Sequence, residues 1–180
     1  AARDRMEQSL AALRASEGRH RSILRTAMDG FWLVDMQGRL LEVNDAYCRM
    51  SGYSEPELMA MRIPDLEADQ TAEQIAASIQ KVKAEGEARF ETRHRRKDGS
   101  LIDVALGIQY RPAEGGQFVV FLHDITARKQ AAMALRESAN QYRELFESSA
   151  DALLLIASDT GHVMDANNMA SVLYGYERDE

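Results

Sequence analysis

The segment "LRASEGRHRSILRTAMDG" at 13–30 returns as "LRESANQYRELFESSADA" at 135–152. Leu13, Arg14, Ser16, Arg21 and Asp29 recur as Leu135, Arg136, Ser138, Arg143 and Asp151, each 122 residues later. A one-residue insertion, "IASDTG" against "VDMQG", then moves the offset to 123, and Gly38, Asn44, Gly52 and Tyr53 recur as Gly161, Asn167, Gly175 and Tyr176. Length changes are cheap in turns, which places the insertion in one. The period is too long for a solenoid unit and suits a small domain. The chain therefore reads as two like domains in tandem. The second copy has only about forty residues after its leading helix, too few for a core of its own, and stops at Glu180. A longer tandem array, cut in mid-domain, is the expectation.

Inside the complete copy the pattern changes several times. Residues 3–27 read as a helix with apolar or small positions at 6, 10, 13, 24 and 27, the three-and-four spacing of a coiled-coil seam, although Glu17 and His20 occupy two of its sites. "GFWLVD" (30–35) and "RLLEV" (39–43) are short strands across a Met-Gln-Gly turn. Asn44 caps a helical turn that stops at Gly52, and "SEPEL" opens another short helix from Ser54 with proline in its first turn. "TAEQIAASIQKVKAEG" (71–86) places Ile75, Ile79 and Val82 on one stripe and ends at Gly86. Three strands follow, "ARFETRHRRK", "SLIDVALGIQYR" and "GQFVVFLHD", joined at Asp98-Gly99 and at "AEGG". Two strands, several helices and a three-strand meander fit an α+β domain, an antiparallel sheet with helices on one face.

The last strand then runs into a helix at "HDITARKQAAMALRES" with no glycine or proline between them. Thr126 is suited to cap the helix from Ala127, and Asp124 can pair with a base such as Arg128. Positions 132, 135, 139, 142, 146 and 149 repeat the seam of the first helix. A parallel homodimer through Leu10, Leu13 and Leu24 and through Leu135, Tyr142 and Phe146 is expected.

Net charge is −7, from 29 acids against 22 bases, which makes nucleic acid and anionic membrane poor partners. The basic run "RHRRK" (93–97) precedes a hairpin turn and reads as a solvated strand edge. The apolar runs "FVVFL" and "ALLLIA" fall far short of the ~18 residues of a membrane span. The single cysteine, Cys48, cannot form an internal disulfide and fits a reducing, cytoplasmic setting. No nucleophile elbow, phosphate-cradling glycine loop or His–Glu metal helix is present, so no catalytic residue and no metal ligand is assigned.

"NDAYCRMSGYSEPEL", "RHRRKDGS" and "HDITARKQA", in this order and spacing, resemble a PAS domain with its C-terminal PAC portion. The resemblance covers roughly 22–130, and 142–180 as a truncated second copy. It implies a five-stranded antiparallel sheet with helices on one face, flanked by N-terminal and C-terminal coiled-coil-like signalling helices. The expected divisions are a helix at 1–22, the PAS/PAC domain at 23–126, an output helix at 127–147 and a second PAS domain from 148 to 180. It also implies a pocket, for which Trp32, Asn44, Phe90, His94, Leu106 and Phe121 are candidates, and a transmission element of Asp124, Ile125, Thr126 and Arg128. Core packing at Trp32 and a structural or solvated role at His94 stand beside the pocket reading. Such modules lie upstream of effector domains such as histidine kinases or cyclic-dinucleotide enzymes. The expected function is a sensor and signal-relay module, with a ligand-free dimerisation and relay domain as the alternative.

Cofactor residues of the family's branches are missing. The reactive cysteine of the flavin photoreceptors aligns with about Ile63, and their polar flavin contacts become His94, Val104 and Leu122. A tryptophan of the redox flavin members aligns near Ala88. Haem members use a histidine between the second and third strands, and no histidine occurs between His20 and His94. The cofactor is left unassigned. Cys48 reads as an inert, partly buried thiol, and His123 and His162 as weaker ligand candidates than His94.

Overall fold

A computed structural model describes residues 28–175. The N-terminal helix and its seam residues Leu10, Leu13 and Leu24 lie outside them. The chain divides into two compact units, the first ending at Ala127 and the second beginning at Arg128.

The first unit runs β1 (Gly30–Asp35), β2 (Leu40–Val43), α1 (Asp45–Ser51), α2 (Glu55–Met59), α3 (Ile63–Leu66), α4 (Ala72–Glu85), β3 (Glu87–Arg95), β4 (Leu101–Arg111) and β5 (Gln117–Asp124). The five strands form one antiparallel sheet in the order β2-β1-β5-β4-β3. The first and last strands thus lie side by side, Trp32 opposite Val120. Alternation along the strands sends Trp32, Val34, Ile102, Val104, Val120 and Leu122 into one core, where Tyr47, Leu58, Leu66 and Val82 meet them from the helices. Each such side chain, fully buried, contributes roughly 1.5–3 kcal/mol.

Local chemistry explains the boundaries. In the β1–β2 turn the Asp35 carboxylate accepts from the backbone N–H of Gln37 and of Arg39, both at 2.9 Å. Thr71 and Gln74 cap α4 reciprocally, and Gly86 closes it at φ +90°, a conformation that side chains with a Cβ rarely adopt. The short helix α3 was not legible in the sequence. It carries proline in its first turn, and the Asp65 carboxylate accepts from Arg62 N–H at 2.7 Å.

The second unit begins with α5 (Thr126–Ser148), whose first two residues belong to the first unit. At 23 residues this helix spans about 34 Å. The hairpin β6 (Leu154–Ile156) and β7 (Val163–Ala166) and the helix α6 (Asn168–Tyr174) repeat β1-β2-α1. Even the irregularity recurs, a register shift at Leu33/Val34 and again at Leu155/Ile156. The copy differs in burial, because a two-stranded hairpin has no further strands to cover it. Leu154 is 41% exposed, whereas its counterpart Trp32 is 1% exposed.

One seam residue requires correction. Leu135 and Tyr142 are exposed along α5, but Phe146 is buried by its own chain, so a partner helix cannot also cover it.

Candidate functional site

A cavity of about 60 Å³ lies between the inner face of the sheet and the α3–α4 segment. Trp32, Phe90, His94 and Leu106 line its sheet side, and Ile63, Glu67, Ser78 and Ile79 its helix side. Most of the wall is apolar; its polar members are Glu67, Gln70, Ser78 and His94.

His94 reaches the interior because β3 alternates. Phe90, Thr92 and His94 face inward while Arg89, Glu91, Arg93 and Arg95 face solvent. The segment after α3 then lies along the outer edge of β3: Glu67 pairs with His94 as an antiparallel bridge, and Ala68 N–H donates to Arg93 C=O at 2.9 Å. This pairing covers a strand edge and brings Glu67 inside. Glu67 Oε1 accepts from the Thr92 hydroxyl at 2.6 Å and from the N–H groups of Ala68 and Asp69 at 3.0 Å. Its Oε2 stands 3.9 Å from His94 Nε2.

Three rings complete the cluster. Trp32 stacks on His94 with centroids 5.1 Å apart and planes 5° from parallel, and Tyr47 meets Trp32 edge-on at 4.8 Å. The Tyr47 hydroxyl is 3.0 Å from His94 Nδ1. Burial lowers the His94 pKa to about 4, so the ring is neutral at pH 7. Burial, and after it the Glu67 charge, pushes the Tyr47 phenol above its ordinary value, so it keeps its proton. The tautomer follows from these partners. With Tyr47 donating to Nδ1, the ring proton lies on Nε2 and faces the Glu67 carboxylate; the reverse would set a lone pair against it. Among the described residues three buried side-chain nitrogens have no hydrogen-bond partner, Trp32 Nε1 and His94 Nε2 in this cluster and Arg96 Nε just after β3.

The pocket candidates divide. Trp32, Phe90, His94 and Leu106 line the cavity. Phe121 does not: β5 alternation sends Val120 inward and Phe121 to the outer face, where it packs on Phe31 at 5.6 Å and is 47% exposed. Asn44 is buried but stitches backbone instead. Its Oδ1 accepts from Phe31 N–H and Tyr47 N–H, and its Nδ2 donates to Asp29 C=O. Asn167 repeats the arrangement with Leu153, Ala170 and Asp151. Tyr47 and Glu67 escaped sequence reading: Tyr47 stands in the "NDAYCRMSGYSEPEL" segment with nothing to mark its partner His94, 47 residues on, and Glu67 lies in no recognisable motif.

At the end of β5, Ile125 is buried and its N–H donates to Asp103 C=O at 2.9 Å. Thr126 Oγ1 accepts from Asp103 N–H at 3.0 Å, so the hydroxyl binds strand β4 rather than capping α5 as expected. The group at the helix start is Asp124, whose Oδ1 accepts from Thr126 N–H at 2.9 Å while Arg96 stands 3.7 Å from its other oxygen. Arg128 lies in the first turn of α5. The basic run faces acids of its own chain, Arg93 on Asp69, Arg96 on Asp124 and Lys97 on Glu57.

Ile63, at the position of the photoreceptor cysteine, puts an aliphatic side chain in the cavity wall, and Val104 and Leu122 are fully buried in the core. Burial raises the pKa of the Cys48 thiol, which lies on α1 away from the cavity. His123 pairs with Asp29 at 2.6 Å on the surface, and His162 is exposed in a turn. Among the described residues no group of three His, Cys, Asp or Glu could hold a metal, and no helix is long and apolar enough to cross a membrane.

A family model described as PAS domain matches residues 28–127, and a second so described matches 140–180. The chain is 28% identical over 147 residues to the sensor histidine kinase TmoS of Ectopseudomonas mendocina and 26% identical over 165 residues to sporulation kinase E of Bacillus subtilis. These matches take in 79% and 92% of the chain but only 15% and 22% of those proteins' own lengths. Among solved structures, the PAS domain of an HTR-like protein from Haloarcula marismortui superposes with a TM-score of 0.62 at 23% identity, over 66% of this chain and 99% of that one. A domain of a sensory box histidine kinase/response regulator from Geobacter sulfurreducens does so at 0.56 and 25%, over 62% and 96%.

Proposed function

The chain belongs to the PAS domain family, and from that premise we propose that its first unit is the sensor and signal-relay module of a multidomain signalling protein. The state of the cavity biases β5, and β5 biases α5 through Asp124, Ile125 and Thr126. The observation that carries this reading is the double tie to Asp103. Its carbonyl takes Ile125 N–H and its N–H gives to Thr126 Oγ1, at 2.9 and 3.0 Å. Val120 of the cavity wall lies five residues before the first of these ties. With no flexible residue between wall and helix, displacement of β5 has no loop in which to dissipate. The kinases above extend far beyond the matched region, which supports an effector domain in cis; a homodimer and a cytoplasmic location belong to the same proposal. The small volume of the cavity favours the second reading, a relay that needs no ligand.

A double-mutant cycle on the full chain separates relay from coincidence. Ile79→Phe fills the cavity from α4, and Thr126→Val removes one tie without changing shape. Amide hydrogen exchange is followed over residues 127–134. Ile79→Phe alone is expected to alter exchange there, and the alteration is expected to vanish when Thr126→Val is also present. An effect that never reaches α5, or that survives Thr126→Val unchanged, overturns the relay.

A further inference from the structure

The cavity beneath α4 is apolar in spite of its polar neighbours. Glu67, Gln70, Ser78 and His94 all border it, yet nearly all the surface it exposes is carbon. Their polar atoms are engaged elsewhere or packed out of reach. His94 Nδ1 meets the Tyr47 hydroxyl at 3.0 Å, and its Nε2, like Trp32 Nε1, is fully buried. Glu67 Oε1 already accepts from the Thr92 hydroxyl and from the N–H groups of Ala68 and Asp69. Gln70 and Ser78 are half-buried and keep access to water. A water molecule inside would need two to four polar partners, and apolar cavities stay dry and accept apolar guests. A polar guest would leave its hydrogen bonds behind in the solvent. The volume, about 60 Å³, is well below the ~150 Å³ that admits a benzene ring and about four times the ~15 Å³ that one water needs.

The wall also has a side that can yield. Before α4 the backbone is tied to the sheet by Ala68 N–H on Arg93 C=O at 2.9 Å, and after it by Tyr110 N–H on Gly86 C=O at 2.7 Å. Between these ties α4 rests on the sheet through Ile75, Ile79 and Val82, and Ile79 is only half-buried. A guest can therefore enter by displacing side chains without breaking a backbone hydrogen bond.

We infer that the cavity binds a small hydrocarbon of about four carbon atoms, seated between Ile79 of α4 and Leu106 and Val120 of the sheet. This deepens the sensor reading and rests on it for its place in signalling, since Val120 belongs to β5, but the binding is measurable separately.

Trp32 is the sole tryptophan and lines the cavity, so its indole N–H gives one isolated nitrogen–proton correlation signal. The full chain, labelled also at its isoleucine methyl groups, is titrated with dissolved isobutane. In parallel it is titrated with 2-propanol, which has the same shape with a hydroxyl in place of one methyl group. Ligands of about four non-hydrogen atoms bind no tighter than tens of micromolar, so the titrations extend as far as solubility allows. The Trp32 and Ile79 signals are expected to shift and saturate with isobutane. The alcohol is expected to bind at least about tenfold more weakly, because its hydroxyl gives up water and finds no partner. Ile79→Phe fills the space and is expected to abolish saturation; should that variant not fold, the comparison of the two probes on the unaltered chain decides. A linear drift equal for both probes, or an alcohol that binds as tightly as the hydrocarbon, overturns the inference. Saturation that persists in Ile79→Phe places the hydrocarbon elsewhere and overturns it too. Saturation with no change in the α5 amides leaves the hydrocarbon site intact and removes the sensor reading. Transmission from Ile79→Phe to α5 without saturation by isobutane does the reverse.

Discussion

His94 is a neutral base enclosed among Trp32, Tyr47 and Glu67, and its burial ties the stability of the fold to pH. Its folded pKa is lowered to about 4 from an ordinary 6.5. The unfolded chain therefore takes up the proton first as pH falls. The stability that His94 confers is complete above pH 6.5 and declines between there and about pH 4, by up to about 3 kcal/mol. Urea unfolding midpoints at pH 7.5, 6 and 4.5 are expected to fall in the wild type and to stay flatter in His94→Phe, which has no proton to gain. Identical slopes in the two proteins would assign the acid loss to other groups. Alternation along "ARFETRHRRK" placed this side chain facing inward from sequence. Its partners were not legible in the same way. Glu67 stands 27 residues before His94 in a stretch that reads as an ordinary acidic loop, and only lateral pairing with β3 brings the two together.

At the scale of elements, the recurrent unit is a strand hairpin stitched to a helix by one asparagine. Asn44 was legible as a helix cap, and its cap bond is present. What could not be read was that the same amide reaches back to Phe31 and Asp29, binding strand and helix together. Asn44→Ala is expected to cost about 3 kcal/mol in the first unit, because it leaves buried backbone groups unpaired rather than merely losing one cap. Asn167→Ala removes the equivalent stitch in the second unit. Hydrogen exchange there should rise only locally, across 153–170, with the first unit's protection unchanged. Equal and global effects of the two substitutions would show that the copies are not separate units. The β5–α5 junction teaches the same lesson. The absence of glycine marked it as rigid, but the sequence assigned the Thr126 hydroxyl to its own helix, whereas β4 takes it. A hydroxyl near a helix start has two classes of partner, and the neighbour in the sheet is invisible to local pattern.

For the molecule as a whole, the exposed stripe on α5 bears on assembly. Leu135 is 72% exposed and Tyr142 54% exposed, a large apolar area for a helix facing only water. Dimerisation through this stripe predicts that Leu135→Lys with Tyr142→Lys shifts sedimentation from dimer to monomer at micromolar concentration, with the circular dichroism of the fold retained. A wild-type chain that sediments as a monomer over the same range would remove the seam altogether. Phe146 belongs to a different category, since its own chain already covers it. The 122-residue repeat, the strand order and the inward face of β3 were legible because they depend on periodicity and turn chemistry, which are local along the chain. The same locality explains what was missed. That Phe121 faces outward, that Tyr47 and Glu67 close on His94, and that Trp32 Nε1 and His94 Nε2 are left without partners all depend on which segments become neighbours. Pairing between segments far apart in sequence is set by the collective burial of a core, and no short stretch of residues encodes it.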